Sequence, residues 1–292
     1  MTTTEASGAT PARPGMLGTA LESARQTLWM LRYRRVLWIV PLALVLLFLF
    51  ALVVSGRARG SIDGAHLTCV LAWWGLGTVL VPWATLYLGV QAVHGELEDR
   101  TSQYLFLRPV RRLPLLLGKW LAVSLVSALI GCAGVVALFL GVGARPDMWS
   151  DGLDPSLIGT YALVLTMGAF AYAAAAALFA ATFRRPLAWA AFFVVGVQML
   201  AANLPVSAGM RRLTITDPLR RVLLDQLEPT RRLAEDLWPA ERAEARELDD
   251  LPASLTLQAG SPLVDLITFV VVCLAFASWR YSRTEYESRS RD

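Results

Sequence analysis

The stretch VLWIVPLALVLLFLFALVVS, Val36–Ser55, decides the fold. It carries no charged side chain along its whole length. As a helix rising 1.5 Å per residue it is about 30 Å long, the hydrocarbon thickness of a bilayer. Helix also satisfies every backbone polar group within one segment, which lipid cannot do. The stretch therefore reads as a transmembrane helix.

The same pattern recurs on the C-terminal side of it. Leu67–Val93, with Trp73, Trp74 and Trp83 along it, reads as the second span and Trp120–Ala144 as the third. Pro155–Phe183, alanine-rich over Ala171–Ala177, is the fourth, and Pro186–Met210 the fifth. Ser261–Trp279 is the sixth and weakest, because Asp265 sits near its start. The expected fold is all-α: a polytopic membrane protein with six transmembrane helices. Composition agrees. The 292 residues are 55% hydrophobic, with a mean hydropathy of +0.50. Only 17% are charged, against about 25% in soluble domains. A soluble enzyme is excluded on these grounds.

Residues 1–16, rich in Thr, Ala, Pro and Gly, read as a disordered tail without the basic start and cleavage site of a signal peptide. Next, Leu17, Leu21, Ala24, Leu28 and Leu31 recur at three- and four-residue spacing, while Glu22, Arg25, Arg32, Arg34 and Arg35 fall elsewhere. This predicts an amphipathic helix lying in the membrane interface; a lengthened first span is the alternative. Residues 17–210 thus hold this helix and spans one to five.

Basic residues orient the chain. With the N-terminus inside, the N-terminal region, 94–119, 184–185 and 280–292 carry sixteen Arg and Lys, against Arg57, Arg59 and Arg145 in the short outer loops. Both ends are placed in the cytoplasm, facing an anionic lipid leaflet. The net charge of +4 is read as this lipid-facing excess, with no nucleic-acid partner. Segment 211–260 then falls outside, with eight Arg and ten acidic residues. Thr216-Asp217-Pro218 resembles a helix start, and Leu219, Val222, Leu223 and Leu227 form an apolar stripe. A second charged helical stretch opens at Thr230 and is interrupted by Pro239. The expectation is an external helical segment resting on the membrane face, with a mobile charged linker as the alternative. Residues 261–292 complete the chain as the sixth span and a cytoplasmic tail. No internal repeat supports an inverted-repeat transporter.

The segment GELEDRTSQYLFLRPVRRLPLLLGKWLA, 95–122, carries the functional information. Glu96, Glu98 and Asp99 suit the first turn of a helix, Leu97, Tyr104, Leu105 and Leu107 supply apolar surface, and Pro109 stops it. Arg108, Arg111 and Arg112 follow at headgroup level, and Lys119 could snorkel to the interface at the start of span three. Such a cytoplasmic helix could dock on a partner and move the attached spans. Equally, it could only anchor the loop to the membrane.

Glu96, Glu98, Thr101, Tyr104-Leu105, Arg108-Pro109-Val110, Arg112 and Leu117-Gly118-Lys119 resemble the signature of ABC-2-type transporter permeases, most similar to the bacterial branch that includes the permease for nitrous-oxide-reductase maturation. Arg100 departs from it, standing where many members have Gly. The resemblance implies a dimer of permeases, homo- or heteromeric, with two cytoplasmic ABC ATPase subunits, in a bacterial cytoplasmic membrane. It also implies that the segment holding Glu96, Glu98, Asp99, Arg100, Thr101, Tyr104, Arg108 and Pro109 couples to the ATPase, with Arg111, Arg112 and Lys119 as interface anchors. The sequence has no GxxxxGK[ST] phosphate loop. No cofactor is expected on this chain, therefore; ATP and Mg belong to the partner.

Gln91, Gln198 and Asn203 are polar positions in or near spans that could line a substrate path or bond helix to helix. His94, Glu96 and Glu98 have the wrong spacing for a metal, and Cys69, Cys132 and Cys273 read as small buried hydrophobes. Neither HExxH nor GxSxG is present, so no catalytic residue is expected. A non-transporting receptor or assembly module using 211–260 is the rival reading.

Overall fold

The computed structural model describes residues 16–33, 36–57, 64–98, 112–145, 153–201, 214–226 and 261–288. Among them every regular element is a helix. In order these are α1 (Met16–Tyr33), α2 (Val36–Arg57), α3 (Gly64–Leu71), a π-helical segment (Ala72–Leu80), α4 (Val81–Glu98), α5 (Arg112–Gly143), α6 (Ser156–Thr182), α7 (Pro186–Phe192), a second π-helical segment (Phe193–Ala201), α8 (Thr216–Gln226) and α9 (Pro262–Ser288).

Five stretches are long and apolar enough to cross a membrane: Ile39–Arg57, Gly64–Val93, Leu113–Gly143, Ser156–Thr182 and Pro262–Tyr281. The expected fifth span is represented by the shorter apolar stretch Pro186–Gln198, and 202–213 lie outside the described residues. Span two is longer than its sequence pattern suggests and runs on through Glu98. Span three begins at Arg112, more than two turns before Trp120, because Pro114 occupies the first helical turn, where its missing amide costs nothing.

Helix α6 is the centre of the bundle, packed by α4, α5, α8 and α9. Its Ala171–Ala177 run is buried throughout. With no hydrophobic drive between helices in lipid, small residues that let backbones approach supply the packing. A Cβ on Gly89 of α4 would collide with the Cβ of Ala176. Trp120 of α5 adds an indole N–H donated to the Phe170 carbonyl at 3.1 Å. Outside this centre, α2 and α9 turn most of their large side chains outward: Ile39, Leu42, Leu46 and Phe50 on one, Ile267, Val271 and Phe276 on the other.

At the end of the bundle near Ser55, Arg145 donates to the Ser55 carbonyl at 2.6 Å, placing a cation at the C-terminus of α2. There too the Asp154 carboxylate accepts from the Ser156 amide at 2.9 Å. That bond holds its pKa below the usual carboxylate value.

Helix α1 docks at the opposite end, beside the start of α5, and splits the predicted stripe: Ala24 and Leu31 pack, while its other members do not. Leu17, Leu21 and Leu28 are exposed, whereas Ser23, Ala24, Thr27 and Leu31 are buried. Ser23 donates to the Leu115 carbonyl at 3.0 Å. A Cβ on Gly118 would strike the backbone of Ala20 and stand 2.8 Å from Ser23 Cβ. Helix-to-helix contact uses the small-residue edge, leaving the leucine edge for lipid.

Candidate functional site

The described residues frame the predicted coupling segment without containing most of it. Glu96 and Glu98 belong to the last turn of α4 and do not open a new helix. Nothing between Val93 and Glu98 stops the helix; the first proline after Pro82 is Pro109. Arg112 opens α5. Asp99, Arg100, Thr101, Tyr104, Arg108, Pro109 and Arg111 lie outside the described residues. Lys119 sits within α5, buried to 5% exposure beside the docked α1.

Of the predicted path residues, Gln91 is half-buried on α4, Asn203 lies outside the described residues, and Gln198 is buried at the centre of a polar cluster. The Gln198 amide oxygen accepts from the Ile215 amide at 3.1 Å, the Thr216 amide at 3.2 Å and the Thr216 hydroxyl at 2.8 Å. It thereby caps the first turn of α8, where backbone donors have no partner inside the helix. The Tyr172 hydroxyl of α6 also hydrogen-bonds Thr216, and Thr214 Oγ1 accepts from the Asp217 amide at 3.3 Å.

This cluster is deep. Tyr172 lies about 24 Å along α6 from Ser156, past the midpoint of a helix about 40 Å long. From there α8 runs along the bundle wall. Leu219 packs on Gly168, its Cδ1 3.1 Å from where a Cβ would stand. Ile215, Leu219, Val222 and Leu223 are all buried. The helix start at Thr216 is the one the Thr-Asp-Pro sequence predicts. Its position differs from the expectation: α8 is inserted among the spans, not laid over them. Glycine and alanine at 168 and 169 leave room for its stripe.

Two charged residues go in with it. Asp217 and Arg220 are 6% and 5% exposed. Asp217 pairs with Arg221 at 2.7 Å, one turn on. The Arg220 guanidinium lies 5.7 Å from the centroid of the Trp73 ring, a cation–π geometry that gains strength when desolvated.

Trp73 and Gln198 each belong to a π-helical segment. In the first, the Val81 amide donates to the Leu76 carbonyl, five residues back. Pro82 follows at once; it has no amide to donate, and its ring crowds the carbonyl of Thr78. Such widened turns are uncommon and concentrate at functional positions. Helix α8 therefore touches both π-helical segments, capped by one and stacked on the other. The sequence reading passed over Trp73, Tyr172 and Arg220. A signal existed for Arg220: Thr216, Leu219, Arg220 and Leu223 share one helical face at three- and four-residue spacing, so an arginine falls within the apolar stripe.

Among the described residues no group of His, Cys, Asp or Glu is placed to hold a metal ion. Comparison with curated proteins gives no match. The family model described as ABC-2 family transporter protein matches residues 21–286, a range that takes in α2 to α8 whole and most of α1 and α9.

Proposed function

Because the chain belongs to the ABC-2 transporter family, whose proteins are membrane subunits of ABC transporters, we propose that it is the permease of an exporter-like complex driven by a separate cytoplasmic ATPase. The observation that carries this reading is the family match over residues 21–286, all five membrane-length stretches included. The sequence lacks a phosphate loop, which assigns ATP and Mg to another polypeptide. Two permeases, identical or not, would pair with two ATPases. The overall resemblance of the sequence favours the branch that includes the nitrous-oxide-reductase maturation permease.

In this reading both chain ends face the cytoplasm of a bacterium, and Pro186 opens the fifth of six membrane-crossing segments. Segment 94–119 meets the ATPase, with Glu96, Glu98, Asp99, Arg100, Thr101, Tyr104, Arg108 and Pro109 at the contact and Arg111 and Arg112 at the headgroups. ATP-driven closure of the partners moves the ends of α4 and α5. At the outer end α8 closes the path, and the contacts with Gln198 and Trp73 are what must loosen for release. Gln91, Gln198 and Asn203 line the way between. The rival receptor reading needs 211–260 as an exposed platform. Burial of Thr214–Arg220, Val222 and Leu223 takes most of its first described part out of reach.

The test is co-expression with the ATPase encoded nearby, followed by purification through the permease. The expected result is a complex whose ATP hydrolysis falls when Glu96 and Glu98 are both changed to Ala. Co-purification and hydrolysis unaffected by the double change would overturn the coupling assignment. The absence of any ATPase partner would overturn the transporter reading itself.

A further inference from the structure

The turn from α6 into α7 joins two exposed charges to an exposed indole. Phe183 leaves α6 in an extended conformation, and Pro186 opens α7, where its fixed φ suits a helix start. Arg184 and Arg185 stand between them, both exposed. The chain has no acidic residue between Asp154 and Asp217, so nothing on the facing ends of α6 and α7 offsets the pair. Among the described residues neither guanidinium makes an ion pair.

Rings gather at the same turn. Phe193, Phe179, Phe183, Trp189 and Phe192 touch in that order, with neighbouring centroids 4.7–6.1 Å apart. Phe183 and Trp189 make the closest contact, stacked at 4.7 Å with 19° between their planes. The stack fixes the indole one turn along α7 from Arg185, yet 47% of Trp189 stays exposed. Tryptophan concentrates where hydrocarbon gives way to headgroups. A second helix marks the same level. Ala277 of α9 belongs to one packed cluster with Ala180 and Ala181 of α6. That places Trp279, 45% exposed, and Arg280 beside Phe183 and Arg184. Two Trp–Arg sets on different helices thus define one membrane–water plane.

Charge narrows the choice of lipid. A guanidinium pairs well with phosphate, but a zwitterionic headgroup brings its own cation to compete for that phosphate. An anionic headgroup leaves the phosphate to the protein. We propose that the α6–α7 turn is a binding site for one anionic phospholipid of the surrounding leaflet, its phosphate held by Arg184 and Arg185 and its glycerol end resting on the exposed part of the Trp189 ring. The site does not depend on the transporter reading. It sets the depth at which α7 enters the bilayer, and α7 runs directly into the π-helical segment that carries Gln198.

The full chain is reconstituted in phosphatidylcholine, and chain-brominated phosphatidylglycerol or phosphatidylcholine is added at low mole fraction. Trp189 emission is isolated by difference from Trp189→Phe, which keeps a ring in the stack. The phosphatidylglycerol form is expected to reach half-maximal quenching at about thirtyfold lower mole fraction, about fivefold for each arginine near the surface. Replacing both arginines by Gln should bring the two forms level at Trp189. Replacing both by Lys keeps the charge and should keep most of the preference. Trp279, isolated by difference from Trp279→Phe, should respond alike in the parent and in both variants, which reports that the fold and its depth are intact.

Equal quenching of Trp189 by the two forms in the parent would overturn the site, and that arm needs no arginine variant to fold. A preference that survives the Gln replacements would place the headgroup elsewhere and overturn it too. A Trp189 that neither form quenches would mean that protein covers the ring, and would replace the lipid by a protein partner.

Discussion

The Gln198 amide oxygen and the Thr216 hydroxyl are 2.8 Å apart, and that bond fixes where α8 enters the bundle. The same oxygen accepts two backbone amides, so one side chain meets three buried donors. Replacing it by Leu keeps the bulk, strands the two backbone amides and leaves the Thr216 hydroxyl only Tyr172. Each stranded donor costs about 1–3 kcal/mol, so Gln198→Leu should destabilise the fold by at least about 2 kcal/mol. Gln198→Glu keeps the acceptor and should do less harm. Unfolding in a detergent–denaturant titration checks the ranking, and exchange at the 215 and 216 amides should accelerate in the Leu variant.

Gly118 is the contact point of α1. Any side chain there meets the backbone of Ala20 and Ala24, which cannot swing aside as a rotamer can. Gly118→Val should force α1 away from α5 at a cost of about 1–3 kcal/mol. A disulfide engineered between Ser23→Cys and Leu115→Cys reports the contact. It should form readily in the parent and poorly with Val at 118. Undiminished cross-linking would mean that α1 is held by the leucine edge after all.

The Trp73–Arg220 pair predicts a spectroscopic effect as well as a loss of stability. A desolvated cation–π contact is worth about 2 kcal/mol. Trp73→Leu should cost about that much, and Trp73→Tyr less, since it keeps a ring face. Arg220→Met removes the charge over the indole and should shift the Trp73 component of emission, isolated by difference from Trp73→Leu. An unshifted spectrum would show that the guanidinium does not sit over the ring.

At Asp154 the prediction concerns pH. Its carboxylate accepts from Ser156 in the folded chain, which depresses its pKa. A group lowered by folding stabilises fully above its unfolded pKa, near 3.9 for Asp, and loses that contribution as pH falls through the lower folded value. Exchange at the Ser156 amide should therefore be slow at neutral pH and rise at acid pH beyond its intrinsic trend. Asp154→Asn should remove the acid-dependent part.

The spans were legible because lipid leaves few ways to satisfy a backbone. The uncharged Val36–Ser55 admits one reading, and Thr216-Asp217-Pro218 marks a helix start in any solvent. The partners were harder to see. In α1 the stripe Leu17, Leu21, Ala24, Leu28 and Leu31 marks a side that avoids water, but in a membrane part of that side can face lipid as comfortably as protein. The edge that packs is made of Ser23, Ala24 and Thr27, which hydrophobicity ranks low. For α8 the topology that placed 211–260 outside argued for a helix resting on the membrane face. Internal pairing and an indole from α3's continuation make burial tolerable, and neither is visible without the third dimension. The Glu96–Pro109 motif is the converse case: its pattern stands out in the sequence, while most of it lies outside the described residues.

The docking of α1 on Gly118 has a mechanical consequence. Only Arg34 and Arg35 join α1 to α2, and a link of two residues reaches no more than about 7 Å beyond the helix ends. Such a short leash cannot take up a large displacement. A push delivered to the start of α5 must carry α1 with it, and α1 must then drag the near end of α2, whose far end is pinned at Ser55 by Arg145. Motion at one end of α5 is thereby turned into a tilt of α2, the least buried of the five membrane-length stretches.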